Sequence, residues 1–349
     1  EVRDPDPQEL LDFVAQMEFR TLSKRLAEKL GVTAPVIVEP EVQQAVIEAP
    51  AAAAFDTSKY ETIRDAAALQ TWIDRIYARG YVAVDTETTG LNEMRADLVG
   101  VSLCVQAGEA AYLPLAHRAG QSDDLFGTDA LAEGQMDLDT ALAMLKPMLE
   151  DSTILKIGQN MKYDAKILAR VGIQVAPIDD TMLMSYAQNG GLHNHGMDLL
   201  SERYLDHAPI SIKTLLGSGK SAITFDRVPI DEASLYAAED ADITLRLWQY
   251  LKPRLHLNRV TAVYESLERP LVPVLADMEI HGIKVDRDVL SRMSNGFAQK
   301  MAGLEAEIHE MAGRSFNVGS PKQLGEVLFD EMALPGGEKG KTGAYATGV

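Results

Sequence analysis

Asp85 and Glu87 stand two residues apart in the stretch 81–91, YVAVDTETTGL, at the end of an apolar run and shortly before a glycine, Gly90. Side chains alternate along a strand, so the two carboxylates share one face. Two neighbouring acids repel at neutral pH, and a divalent cation is the usual compensation for such a pair at a strand end. The chemistry this points to is metal-dependent work on phosphates.

A further acid, Asp164, falls in GQNMKYDAKIL, in the first turns of a helix expected after a strand that ends at Ile157. Asn160 is placed to cap that helix, whose N-terminus offers positive potential to a phosphate or carboxylate. Taken alone, an Asn and an Asp at a helix start are an ordinary capping arrangement. In LYAAEDADITLRL, Tyr236 and Asp240 lie four apart, on one helix face. Leu235, Ala238, Ile243, Leu245 and Leu247 are apolar enough to bury the rest of that helix, and a carboxylate there calls for a cation. Standing alone, Tyr236 reads as packing and Asp240 as a solvated charge. His193 and His195, in GGLHNHGMD, are a weak metal signal without cysteines; a loop before a helix is the plainer reading.

The elements that must position these groups follow from periodicity. Leu10, Leu11, Val14, Met17, Phe19, Leu22, Leu26 and Leu30 predict one or two helices over 8–30, stopped by Gly31. Residues 33–57 show no sustained period and read as a linker. An α/β pattern then begins: a helix over 66–78, strands near 81–86, 98–105 and 110–115, a helix over 137–149, a strand over 153–157 and a helix over 160–171 closed by Gly172. Further helices are expected near 179–188, 197–205 and 231–251. Beyond 255 long helices take over, with Pro270 and Pro273 in a first turn, Gly282 as a stop and Asp286 as an N-cap. Leu290, Met293, Phe297, Met301, Leu304, Ile308 and Met311 then make one apolar stripe, and Ser320-Pro321 opens a short helix carrying Leu324, Val327 and Leu328.

At 349 residues the chain is long enough for two or more compact units, and 46% apolar residues suffice for real cores. A formal charge of -19 excludes a generic basic nucleic-acid binder, so any nucleic acid must be held locally. The single cysteine, Cys104, excludes an internal disulfide and suits a reducing compartment, the cytoplasm by default. No apolar run has membrane-span length, and no signal-peptide layout opens the chain. A start at Glu1 and a glycine-rich end, PGGEKGKTGAYATGV, read as the two ends of a piece of a longer protein.

Together, DxE, NxxxYD and YxxxD resemble the 3′-to-5′ exonuclease superfamily with four acids and a tyrosine. The stretches VDTETTGLN, KIGQNMKYD, PIDDTMLMSY, MDLLSERYL, YAAEDADITLRL, MEIHGIKVD and FNVGSPKQLGEVLF carry the resemblance further, to the bacterial family A DNA polymerases. The last two resemble polymerase elements lying after the exonuclease, which a ribonuclease D-like enzyme would not carry.

The resemblance implies an α/β, ribonuclease H-like exonuclease domain, with a mixed sheet flanked by helices, followed by an incomplete all-helical start of a polymerase domain. It implies the helical tail of an upstream 5′-nuclease domain over 1–34, a linker over 35–56, the exonuclease over 57–254 and the truncated polymerase start over 255–349. It implies two divalent cations, Mg2+ or Mn2+, with Zn2+ an option at one site. Asp85 would bridge both, Glu87 and Asp240 would complete the shell of the first cation, and Asp164 would support the second cation, mainly through waters. Tyr236 and Glu87 would orient the attacking water.

The implied partners are a single-stranded or frayed DNA 3′ end and the polymerase and 5′-nuclease domains of the same protein, with no membrane and a monomeric state. Leu91 would wedge against terminal bases and Asn160 would contact the backbone, while Ile212 falls where the family places an aromatic stacking residue. Lys162, Lys166, Lys213 and Lys220 are either phosphate contacts or solvated charges. The alternative function is a catalytically weak DNA- or nucleotide-binding module that supports the polymerase.

Overall fold

The computed structural model describes residues 6–17, 19–32, 55–119, 130–219, 222–340, 343 and 345–347. Lys220 and most of the expected linker lie outside the described residues. Two compact units divide between Ile280 and His281.

The first unit opens with α1 (Pro7–Gln16), capped by the Asp6 carboxylate, and α2 (Arg20–Leu30), which ends on Gly31 at φ 67° as its position predicts. The α/β part follows with β1 (Glu61–Thr62), α3 (Ala66–Arg79), β2 (Tyr81–Thr88), β3 (Leu98–Gln106) and β4 (Glu109–Pro114). Next come α4 (Leu138–Leu149), β5 (Leu155–Gly158), α5 (Met161–Arg170), β6 (Ile178–Asp180), α6 (Thr181–Asn189), α7 (Met197–Leu205), α8 (Ile212–Leu216) and α9 (Ile230–Leu257). The strands form one mixed sheet in the order β1-β4-β3-β2-β5-β6. β2 pairs antiparallel with β3 and parallel with β5, so the acid-bearing strand is central.

The two faces of β2 explain the layering. Val82 and Val84 join the core formed with Trp72, Ile76, Leu145, Leu149, Ile167 and Leu168 of α3, α4 and α5. Ala83, on the opposite face, packs with Cys104, Ala110, Ala238, Ala241 and Leu245. Small residues on both sides of that second interface let α9 lie close to the sheet, because backbone separation follows side-chain size at the contact. Asp242 secures α9 there: it is fully buried and accepts from the Gly108 amide at 2.9 Å, the Tyr60 hydroxyl at 2.9 Å and Arg246 Nε at 2.8 Å.

The helix expected from about 179 starts instead at Thr181, because residues 178–180 join β5 as the edge strand β6. Both aspartates of that strand turn inward. Asp179 accepts from Trp248 Nε1 and the Tyr264 hydroxyl and pairs with Lys252 and Arg269. Asp180 accepts from the amides of Asn160, Met161, Met182 and Leu183, capping α5 and α6 with one carboxylate. Burial pushes Asp180 up to about 6 even though those four amides favour its ionised form. Asp180→Ala leaves two helix starts uncapped in a buried place, and an expected loss on the order of 2–4 kcal/mol is measurable by urea unfolding.

After α9 the unit continues through α10 (Thr261–Val263), a π turn (Tyr264–Glu268) and α11 (Arg269–His281). Helical geometry therefore begins ahead of Pro270 rather than at it, and Pro273 is interior; the wide π turn precedes the two residues that lack an amide donor. The second unit holds α12 (Arg287–Ala312), capped by Asp286 and ended by Gly313, then α13 (Pro321–Gly325) and a π turn (Glu326–Glu331). The stripe on α12 is present but exposed, with Phe297 60% and Met301 69% accessible. Among the described residues no helix is long and apolar enough to cross a membrane.

Candidate active site

β2 delivers Asp85 and Glu87 to the face covered by α9, and α9 brings Asp240 against them. One carboxylate oxygen from each of Asp85, Glu87 and Asp240 lies within 4.8 Å of the others. Tyr236, one turn earlier on α9, is hydrogen-bonded to Asp240, and its ring packs 5.9 Å from Phe225. Three acids within one turn of α9 serve different neighbours because each residue step rotates the side chain about 100°. Glu239 accepts from the Ile210 amide at 2.6 Å and meets His207 at 2.9 Å, Asp240 enters the acid group and Asp242 holds the β3–β4 turn. Leu235, expected to be buried, is exposed, since its side of α9 turns away from the sheet.

Asp164 reaches the same strand end from the other layer. It is buried on α5, and its Oδ1 accepts from the Thr86 amide at 3.0 Å and the Thr86 hydroxyl at 2.5 Å. Thr86, pointing opposite to Asp85 and Glu87, therefore fastens the fourth acid to the strand bearing the first two. Asp164 is not a member of the close three-carboxylate group, yet its charge acts on Glu87 and that of Asp85 acts on it.

The electrostatics are those of a cation site. Burial first, then the charge of Asp240, pushes Asp85 up to about 8. Glu87 is held well above its ordinary value by burial and then by Asp85, Asp240 and Asp164. Burial raises Asp240 against the opposing Tyr236 bond, with Glu239 and Asp198 adding to the rise; burial and Asp85 raise Asp164. The Tyr236 hydroxyl is raised by burial, Asp240 and Glu87, so it remains a neutral donor. Glu87 Oε1 is buried and has no hydrogen-bond partner among the described residues. An all-oxygen, convergent donor set that includes an unpartnered Glu87 oxygen fits a hard divalent cation.

Gly100 is the cross-strand partner of Glu87, and the Tyr112 side chain lies over it. A Cβ at Gly100 would coincide with the Tyr112 hydroxyl and ring edge. Gly100→Ala is expected to cost roughly 2–4 kcal/mol in urea unfolding, as forced overpacking does. Tyr112→Phe should not relieve it, because ring carbons clash as well; Tyr112→Leu should relieve part.

The other expected contacts are placed as follows. Leu91 is 95% exposed just beyond β2. Asn160 precedes α5 at φ 62° and its side chain makes no capping bond; Asp180 supplies that cap. Ile212 opens α8 and packs beside Leu215, Leu216, Ile223 and Tyr236 against the Phe225 cluster. Lys166 is buried between Glu93 and Glu279, and Lys162 pairs with Glu279 at 2.5 Å, so both are ion-pair members rather than open phosphate contacts. Lys213 is exposed. His193 bonds the Asn194 carbonyl and Tyr204, and His195 bonds Ser185; neither joins a metal-ligand group among the described residues. Nothing in residue type or spacing marks Thr86 as a site residue, whereas Asp180, the second aspartate of PIDDTM directly before a helix start, carries an N-cap signal.

A mixed sheet with convergent carboxylates at the end of its central strand, beside a helix-borne tyrosine, defines an α/β nuclease domain. The chain belongs to family A of the DNA polymerases and carries that family's 3′-5′ exonuclease domain. The family model described as 3′-5′ exonuclease matches residues 60–256, and the one described as DNA polymerase family A matches 287–349. The chain is 52% identical over 316 residues to the DNA polymerase I of Rhizobium leguminosarum, covering 88% of this chain and 31% of that protein. It is 41% identical over 292 residues to that of Pseudomonas aeruginosa, covering 82% and 31%. The chain thus spans about a third of the length of these relatives. A solved structure of the POL domain of Pol1 from M. smegmatis, in complex with DNA primer-template and dNTP, shares the fold at a TM-score of 0.62 and 23% identity, over 82% of this chain and 43% of that one.

Proposed function

We propose that residues 57–254 form a two-cation 3′-to-5′ exonuclease that releases nucleotides from single-stranded or frayed DNA 3′ ends. In the whole protein this would be the proofreading part of a cytoplasmic, monomeric DNA-directed DNA polymerase I used in replication and repair. Residues 1–34 would close an upstream 5′-nuclease domain, and 255–349 would begin the polymerase domain. The observation that carries the reading is the close group formed by the Asp85, Glu87 and Asp240 carboxylates.

Asp85, Glu87 and Asp240 would hold Mg2+ or Mn2+, and Asp164, fixed by Thr86, would serve a second cation through waters. The cations supply a water of lowered pKa and neutralisation of the leaving 3′ oxygen. Tyr236 donates from a buried, neutral hydroxyl and, with Glu87, orients the attacking water. The terminal nucleotides would have to be unpaired to reach the Asp85 and Glu87 carboxylates, and a mismatched terminus unpairs at lower cost. Leu91, bare to solvent just past β2, would wedge against terminal bases, Asn160 would contact the DNA backbone, and Ile212 would take the stacking position. The test is 5′-labelled single-stranded DNA with Mg2+ and with EDTA. A ladder shortening from the 3′ end only with metal is expected; metal-independent shortening, or none with metal, overturns the reading.

A further inference from the structure

The face of the sheet under α9 can be read in rows across β2, β3 and β4. Ala83, Cys104 and Ala110 form an apolar row; the next is Asp85, Ser102 and Tyr112, and the next Glu87, Gly100 and Pro114. Ser102 is wholly buried, and its Oγ has no hydrogen-bond partner among the described residues. A buried hydroxyl left unpaired lowers stability, so its presence beside an acid group needs a reason.

Within the sheet, its neighbours leave one acceptor. The Tyr112 hydroxyl is 2.8 Å from His117 Nε2, and His117 Nδ1 is 3.0 Å from the Val228 carbonyl. A carbonyl only accepts, so Nδ1 carries the proton and Tyr112 donates to Nε2. Cys104, in the neighbouring row, bonds the Gln106 carbonyl. The remaining group in the row of Ser102 is Asp85, its direct cross-strand partner. Paired residues on one face have Cβ atoms roughly 5 Å apart, so a turn about χ1 brings a serine hydroxyl onto an aspartate oxygen.

We infer that Ser102 is a positioning residue for Asp85: in the cation-loaded site its hydroxyl donates to the Asp85 carboxylate and fixes which oxygen edge faces the cations. This rests on the metal-dependent reading above. Groups that orient metal ligands typically govern affinity by about 10- to 100-fold.

The test is Ser102→Ala in the full chain, melted by scanning calorimetry in EDTA and across a MnCl2 titration, alongside the unaltered protein. In EDTA the variant should melt at the same temperature or higher, because an orphaned hydroxyl has been removed. Its half-saturating Mn2+ should rise about tenfold. With 5′-labelled single-stranded DNA, kcat should fall at a fixed, limiting Mn2+ while KM for DNA stays unchanged. An unaltered Mn2+ requirement overturns the inference alone, as does an equal loss of melting temperature with and without Mn2+, which would mark a structural hydroxyl. No Mn2+ shift in the unaltered protein overturns the metal-dependent reading, and this inference with it.

Discussion

Asp85→Ala is expected to lower 3′-end shortening of single-stranded DNA by on the order of 10³-fold or more, since several kcal/mol of charge stabilisation disappear with the carboxylate and each 1.4 kcal/mol is worth tenfold. Asp85 interacts with each of the other three acids: its charge acts on Glu87 and Asp164, and that of Asp240 acts on it. Losing it therefore disperses the group rather than trimming it. Asp164→Ala should be milder in rate, because Asp164 stands outside the close three-carboxylate group and is satisfied by Thr86. The order of the two losses, measured on one labelled substrate at fixed Mg2+, checks the geometry as well as the chemistry. Equal activity of Asp85→Ala and the unaltered protein would defeat the assignment of this site.

The second large effect is on stability. In metal-free protein burial, then the Asp240 charge, push Asp85 up to about 8 from an ordinary 3.8, so between those values the folded chain holds a proton that the unfolded chain has released. A raised acid means the folded state binds more protons between those two values, and stability falls as pH rises from about 4 to 8. For Asp85 alone the ceiling is on the order of 5 kcal/mol. Glu87, Asp164 and Asp240 move in the same direction. The melting temperature in EDTA should accordingly drop across that window, and Asp85→Asn should flatten the drop and melt higher than the unaltered protein at pH 8. Saturating Mg2+ should reverse the order, since cations favour the ionised acids that the variant lacks. A pH-independent melting temperature in EDTA would contradict the crowding of buried acids at this site.

These expectations separate what was legible along the chain from what was not. The face shared by Asp85 and Glu87 and the one shared by Tyr236 and Asp240 follow from strand and helix periods, which any short window contains. The Gly31 stop and the Asp286 cap are equally local, and both hold. Asn160 misled for the opposite reason: a good capping residue stands at the helix start, but the chain brings Asp180 from 20 residues on to do that work.

Residue type and spacing within single elements point to the family, nominate the four acids and the tyrosine, and mark the strand and helix that carry the central three. How those acids are held depends on tertiary packing. Thr86 grips Asp164 across 78 positions, Asp242 clamps α9 to the sheet from the far side, and Ser102 faces Asp85 through strand register. Register and helix approach are set by how whole faces pack, with small residues at Ala83, Ala110, Ala238 and Ala241 allowing the closeness. No window of sequence contains that information, because the partners meet only after the sheet has closed around them.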